Sequence, residues 1–337
     1  MILFNKDTEK DIVVIAEIGV NHAGSLDWIL GMLPRIKNSG ADAVKFQLFT
    51  PDLYASKSNP ERFKSVSKLA ISRQNFLRIK AECDSIGLPV FATPLSHDWV
   101  QFVSETCKVI KIASGDFTFT PTTDLALNSP SALIISCGAS SEQEIVNFVE
   151  KAKKIRLGNR YAESIALLHC ISAYPPPLDE SNLSAINHLS KISGLTIGFS
   201  NHFVGDAALY AAIGAGARIL EIHVTDDRSR TDIRDHELSR TPVELENIIQ
   251  NVRLLNLSLT SGKKAIQPSE FPMLSQIRKG IVYSKDLKAG HQISLDDLNY
   301  ARPMNIGIKD VSEIIGKVLN RPVSAFYTVE LEDFEIK

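Results

Sequence analysis

Two short runs decide how this chain folds: Gly198-Phe199-Ser200-Asn201-His202 and Leu220-Glu221-Ile222-His223. Each is apolar with strand character, and each brings a histidine at or just past its end. An amphipathic helical stretch across 205–216 separates them. Strand, helix and strand imply parallel pairing through a right-handed crossover. In a barrel of parallel strands, consecutive strand ends are neighbours at one rim, so both imidazoles would open onto one cavity. A lone strand-end histidine is most often a hydrogen-bonded core residue. Two at consecutive strand ends make half of a divalent metal site with open positions. That points to metal-assisted chemistry in an enzyme, not to a passive module.

Outward from this unit the rhythm repeats. Strand-like runs at 12–16, 43–47, 89–93, 109–113, 133–136, 165–170, 196–200 and 219–224 are apolar and often β-branched, as strands buried on both faces should be. Between them, Leu26, Ile29, Leu30, Leu33 and Ile36 form one helical stripe, and Ile145, Phe148, Val149 and Ala152 another. Eight such units predict an α/β protein with a closed (β/α)8 TIM barrel. A doubly wound open sheet usually carries a glycine-rich phosphate loop. Here Gly-x-Gly-x-x-Gly is absent, and Gly214-Ala215-Gly216 falls late in a helix.

The pattern changes near Ser261. Residues 261–264 read as the close of the last helix, and the Pro-interrupted 267–272 as an extended linker. Short runs at 280–283 and 296–298, with the turn Lys288-Ala289-Gly290, predict a small, mostly β domain with a thin core of its own. The expected division is a catalytic barrel over 1–264, a linker over 265–275 and a small domain over 276–337.

Of the 337 residues, 44% are hydrophobic and 23% charged, which allows a large core and argues against disorder. The net charge of −2 comes with no basic run, so nucleic acid and anionic membrane are poor partners. Cys83, Cys107, Cys137 and Cys170 are dispersed without a C-x-x-C pair, which suits free thiols in a reducing compartment. The short apolar run 12–16 fits neither a signal peptide nor a membrane span, so a cytoplasmic protein is expected.

Barrel active sites are built at the C-terminal strand ends. The expected ends carry Glu17, then Lys45 and Gln47, then Thr93, then Lys111, Ser114 and Asp116. Ser136, then His169, Ser172 and Tyr174, follow; Ser200 and the two histidines complete the rim, with Glu221 beside the last. Every end is polar or ionisable while the strand bodies are apolar, an unfavourable arrangement for a bland core. Lys45 and Lys111, joined by the hydroxyls of Thr93, Ser114, Ser136 and Ser200, suit a small, multiply charged anion. Glu17 and Asp116 are carboxylates available for proton transfer or sugar hydroxyls. The histidines can hold a metal that polarises a carbonyl oxygen. For His22 and His169 a core role is preferred, and Arg228, Arg230 and Arg234 read as a solvated loop around Asp235.

These residues fall into ordered motifs: Ala16-Glu17-Ile18-Gly19-Val20-Asn21-His22-x-Gly24-Ser25, Ala43-Val44-Lys45-x-Gln47, Lys111-Ile112-x-Ser114-Gly115, Leu168-His169-Cys170-x-x-x-Tyr174-Pro175, Gly198-x-Ser200-x-His202 and Glu221-x-His223. Over nearly its whole length the chain resembles the sialic acid synthase family. The tail, with Arg302-Pro303, resembles that family's antifreeze-like (SAF) domain. The resemblance implies condensation of phosphoenolpyruvate with the open-chain aldehyde of an N-acetylated amino sugar, N-acetylmannosamine or a relative. A nine-carbon 2-keto acid and phosphate would result. It implies a divalent metal on His202 and His223, manganese foremost, with magnesium or cobalt as alternatives. It implies that Lys45, Thr93, Lys111, Ser114, Ser136 and Ser200 hold phosphoenolpyruvate, while Glu17, Gln47, Tyr174 and Asp235 face the sugar. It implies a domain-swapped homodimer in which Arg302, with Phe271, reaches the acceptor of the other subunit. The chain departs from the family's usual residues at Asp116 (often Glu), Ser172 (often Asn) and Asn201 (often Asp), which leaves the sugar's identity open. A metal-dependent sugar isomerase or epimerase, or a non-catalytic sugar-binding paralogue, are the alternative readings; the first leaves the two lysines unexplained.

Overall fold

The computed structural model describes residues 1–259, 262–308 and 310–334. Eight strands, β1 (Val13–Gly19), β2 (Ala43–Leu48), β3 (Val90–Pro94), β4 (Val109–Ile112), β5 (Ala132–Ser136), β6 (Ile165–His169), β7 (Thr196–Asn201) and β8 (Ile219–His223), pair in parallel and close into a barrel in chain order. β8 returns to β1, with Ile219 opposite Val13 and His223 opposite Glu17. The strand bodies are buried on both faces, as continuous apolar runs require.

Helices α1 (Leu26–Asn38), α2 (Arg73–Ser85), α3 (Val100–Thr106), α4 (Thr120–Asn128), α5 (Glu142–Ile155), α6 (Ala185–Ser193), α7 (Ala207–Gly214) and α8 (Pro242–Ser258) follow the strands in turn. Their starts are chemically marked. Ser25 accepts from the Trp28 amide, and Ser141 with Glu144, and Thr241 with Glu244, form reciprocal capping boxes. α8 is locked to the start of the barrel: Arg253 grips Asp42 with two hydrogen bonds of 3.0 and 2.8 Å and donates to the Ile12 carbonyl. Asp42 in turn accepts the Val14 amide at 2.7 Å.

Among the described residues, several features lie outside the simple repeat, including a short helix, Arg160–Ser164, just before β6. A hairpin of Ile2–Leu3 with Lys6–Asp7 precedes β1. Between β2 and α2 the chain makes an excursion through two short helices, Pro51–Tyr54 and Pro60–Ser67.

The chain divides into two compact units, Met1–Leu259 and Thr260–Lys337, so the expected linker falls inside the second. α8 ends at Ser258, before the expected close at 261–264; Ser261 itself lies outside the described residues. The segment expected to be extended is instead helical, a 3-10 turn over Pro268–Met273 followed by Leu274–Ile277. Pro268 occupies the first turn, where its missing N–H costs nothing, and Glu270 accepts the Gln267 amide. The expected run at 296–298 is likewise a 3-10 turn, Leu295–Asp297, running into a strand. That strand, β10 (Leu298–Ala301), pairs antiparallel with β9 (Gly280–Tyr283). The unit's small core gathers Ile281, Tyr283, Ile293, Ile314, Leu319 and Phe334, among others. Buried Asp333 staples it by accepting from the Tyr283 hydroxyl at 2.8 Å and Arg321 Nε at 2.7 Å.

Candidate active site

Strand register assembles the site. β8 sets His223 opposite Glu17, β1 sets Glu17 opposite Lys45, β2 sets Gln47 opposite Thr93, and β7 sets Ser200 opposite Glu221. Because side chains alternate along a strand, Lys45 and Gln47 share a face, as do Glu221 and His223. The result is a cavity of about 460 Å³, lined by Glu17, Lys45, Gln47, Thr93, Lys111, Ser114, Asp116, Ser136, Tyr174, Ser200, His202, His223 and Asp235, together with Glu221. Ser172 joins the rim through a 2.8 Å hydrogen bond with Ser114. Phe271 and Arg302 belong to the second unit, where both are exposed and Arg302 Nε donates to the Ile277 carbonyl at 2.6 Å.

The floor is a buried charge cluster. Lys45 Nζ lies 3.0 Å from Glu17 Oε1 and donates to Thr93 Oγ1 at 3.0 Å. Lys111 Nζ donates to Ser136 Oγ at 2.6 Å. Glu221 Oε2 stands 3.6 Å from each ammonium, bridging the two lysines, while Oε1 accepts from Ser200 at 2.8 Å. Gln47 donates to Glu17 Oε1 at 2.8 Å. All four ionised groups are at most 3% exposed, a placement that isolated charges could not sustain.

Burial disfavours the charge on Lys45, but Glu17 and Glu221 outweigh it and raise its pKa. Burial prevails at Lys111, where Lys45 also repels the charge and lowers the pKa against the pull of Glu221. Burial would raise Glu221, yet the two lysines and the Ser200 hydrogen bond hold it below the usual carboxylate range. At the rim, burial alone pushes Asp116 up to about 6. Tyr174 is also pushed upward, chiefly by burial.

The histidine pair fits a cation. Their ring centroids are 5.6 Å apart, and Tyr174 packs on His202 at 4.2 Å. His202 Nδ1 points at the Ile171 carbonyl at 2.7 Å and therefore carries the proton, leaving Nε2 as a bare lone pair. Ser200 Oγ is 3.3 Å from that Nε2, but its hydroxyl proton is committed to Glu221. Burial, reinforced by His223, lowers the His202 pKa to about 3, so the ring stays neutral. His223 Nδ1 is buried without a hydrogen-bond partner, 3.5 Å from Asp235 Oδ2. Among the described residues no group of three or more His, Cys, Asp and Glu forms a metal-holding cluster. A cation held by the two imidazoles would have positions left for water or substrate oxygen.

Gly19 has φ +57°, and a Cβ there would come within 3.4 Å of Glu17 Oε1 and 3.6 Å of His223 Nδ1. Those are ordinary contact distances; it is the left-handed backbone that favours glycine here. His22 and His169 do not line the cavity: His22 Nδ1 accepts from the Gly24 amide, and His169 Nε2 meets the Ser181 carbonyl. Arg228 and Arg230 are engaged with Glu244, Asp226 and Asp232. Sequence reasoning underrated Glu221. Its spacing of two from His223 was the available signal, since it places both side chains on the inward face.

A closed parallel barrel with ionised groups gathered at its C-terminal rim has the architecture of a barrel enzyme. The chain belongs to the NeuB family, which it matches over residues 32–264, and residues 278–325 match the SAF domain. It is 32% identical to the N,N'-diacetyllegionaminic acid synthase of Legionella pneumophila over 96% of this chain and 94% of that protein. It is 26% identical to the pseudaminic acid synthase of Campylobacter jejuni, over 98% of this chain and 99% of that one. Among solved structures it resembles the N-acetylneuraminic acid (sialic acid) synthetase of Leptospira borgpetersenii in complex with citrate. The TM-score is 0.73 and the identity 31%, covering 78% of this chain and 90% of the other. These relatives are nonulosonic acid synthases.

Proposed function

We propose that this protein condenses phosphoenolpyruvate with the open-chain aldehyde of an N-acylated amino sugar. C3 of phosphoenolpyruvate bonds to the aldehyde carbon, water adds at C2, and the C2–O bond breaks to release phosphate. The product is a nine-carbon 2-keto acid.

The observation that carries this reading is the buried pair Lys45 and Lys111, bridged by Glu221 and flanked by Thr93 and Ser136. A reading as an isomerase acting on a neutral sugar leaves the pair of desolvated ammonium groups unexplained. In this reading they take the carboxylate and phosphate, with Ser114 and Ser200 adding hydroxyls. Glu17, oriented by Gln47 and Lys45, and Asp116 are the carboxylates placed to move protons, and Lys111 holds the most labile of the buried ammonium protons. Gln47, Ser172, Tyr174 and Asp235 would face the sugar.

The lysines and the two glutamates cancel in charge, so a multiply charged anion calls for further positive charge. His202 and His223 would hold a divalent cation, manganese foremost, with magnesium or cobalt as alternatives. When bound, it supplies charge and polarises a carbonyl oxygen.

The test is phosphate release from phosphoenolpyruvate against a panel of amino sugars, with mass spectrometry of the products. Release should require an acceptor and give a product heavier by one pyruvic acid. Sugar conversion without phosphoenolpyruvate would favour the isomerase instead. Chelation should abolish turnover, and added manganese, magnesium or cobalt should restore it. Full activity in exhaustively chelated enzyme, or in the His202→Ala, His223→Ala double variant, would remove the metal from the reading.

A further inference from the structure

The loop that follows β8 carries Asp235 into the cavity and is closed at its base. The Val224 amide donates to the Glu17 carbonyl at 2.8 Å, and the Arg240 amide donates to the His223 carbonyl at 2.7 Å. The two ends of the loop thus pair directly, Val224 beside Arg240. Arg240 also ties this base to the loop after β7, donating to Asp206 at 2.9 Å and to the Gly205 carbonyl at 2.6 Å. Between the ends, Asp235 lines the cavity with Oδ2 3.5 Å from His223 Nδ1.

Asn21, two residues past the end of β1, grips this loop from outside the cavity. It is fully buried. Its side-chain amide has two protons, and both go to the loop: one to the Val224 carbonyl and one to Ser239 Oγ, each at 2.8 Å. The direction of these bonds is fixed. A carbonyl can only accept, so the nitrogen of Asn21 must face Val224. Ser239 gives its single hydroxyl proton to the Asp235 carbonyl at 2.5 Å, so toward Asn21 its oxygen accepts. Ser239 is fully buried as well. A relay of donors therefore runs from Asn21 through Ser239 to the main chain of Asp235. At such depth a lost partner leaves a desolvated group unsatisfied.

We infer that Asn21 and Ser239 are positioning residues for Asp235: they set its carboxylate at the cavity without touching a substrate themselves. The inference rests on the synthase reading for the acceptor sugar that Asp235 would meet.

Ser239→Ala cuts the branch to Asp235 and leaves Asn21 bonded to Val224, so it is the milder lesion; Asn21→Ala removes both bonds. The acceptors are N-acetylmannosamine and 2,4-diacetamido-2,4,6-trideoxymannose. In phosphate-release assays each variant should lower the acceptor's specificity constant about 10- to 100-fold, within what a displacement of about 1 Å costs. KM for phosphoenolpyruvate should stay where it was, because Lys45 and Lys111 stand on β2 and β4, away from the relay. A parallel rise in both KM values would mean a merely structural role and overturn the inference. The decisive measurement is a cycle with Asp235→Ala, read in the acceptor's Kd by calorimetry, which needs no turnover. If Ser239 acts through Asp235, Ser239→Ala should change nothing further once the carboxylate is gone. If the two losses multiply, the inference fails. Hydrogen exchange tests the relay without any sugar. Ser239→Ala should speed exchange at the amides of His236 and Ser239, which bond within the loop, and leave β8 protected. If neither sugar supports phosphate release but exchange rises at those amides alone, the synthase reading falls and the relay stands. If exchange there is unchanged, the relay falls.

Discussion

At the scale of the residue, the central group is Glu221, one carboxylate shared by two ammonium ions. Removing one cation from such a desolvated cluster leaves the others mismatched. The loss of a buried charged partner costs about 2–5 kcal/mol in binding. Lys111→Ala should therefore weaken phosphoenolpyruvate binding at least about tenfold, since 1.4 kcal/mol is a factor of ten. Unchanged titration isotherms for both Lys111→Ala and Lys45→Ala would rule out their role as the anion site. Asp116 offers a pH test. Burial raises its pKa to about 6, so below that pH it carries a proton, and above it becomes a carboxylate that can only accept. Sugar hydroxyls and amides are donors, so the specificity constant for the acceptor should rise as pH passes upward through about 6. Asp116→Asn should remove that step; if the step persists unchanged, it belongs to another group. Asp116→Glu should shift the ranking of acceptors, as expected where a shorter carboxylate leaves room.

At the scale of the element, function depends on register. The pairing of β8 with β1 and of β1 with β2 brings His223, Glu17 and Lys45 into one row. A slip by one residue would turn each to the helix side. The close approach of β6, β7 and β8 depends on Gly198, where a Cβ would lie 2.4 Å from Leu168 Cδ2 and 2.5 Å from the Ile219 carbonyl. Gly198→Ala should destabilise the protein by about 1–3 kcal/mol through overpacking. It should also disturb Ser200 and His202, two and four residues on. Gly214→Ala is the control: nothing lies within 4 Å of a Cβ there, and alanine favours helix. Thermal denaturation of the two variants should move in opposite directions, and equal stability would contradict the packing argument. The strands were legible because burial on both faces imposes apolar runs. The excursion over 51–67 was not, since its short, polar helices carry little periodicity of their own.

At the scale of the molecule, the barrel has a large core and the second unit a small one. Among the described residues no helix is long and apolar enough to cross a membrane. A unit with so thin a core gains from a further surface to bury. A domain-swapped homodimer in which each tail caps the other barrel, bringing Arg302 and Phe271 to the acceptor, is our proposal for that surface. It predicts complementation. Mixing inactive His223→Ala with inactive Arg302→Ala should restore activity on subunit exchange, because one site of the mixed dimer carries both intact residues. If the tail acts within its own chain, every site keeps one lesion and no activity returns. A monomeric mass at full activity would also exclude the swap.

The sequence by itself determined the barrel, because eight apolar runs alternating with amphipathic stripes admit few other closures. It also determined which residue types stand at the rim, since a polar group at the end of a buried strand has few other places to go. Tertiary structure alone decided the pairings: Glu221 between Lys45 and Lys111, Ser200 committed to Glu221, and His202 left with a bare Nε2. These rest on distances of a few ångströms between groups far apart in the chain, and periodicity carries no such information. Folding likewise decided that the early stretch of the second unit is helical, because the capping contact at Gln267 and Glu270 outweighs what its prolines suggest locally. The apolar lining of the cavity is the clearest case. Phe49, Tyr54, Val66 and Leu69 look like ordinary loop and helix residues in the sequence, and the fold turns them onto one cavity.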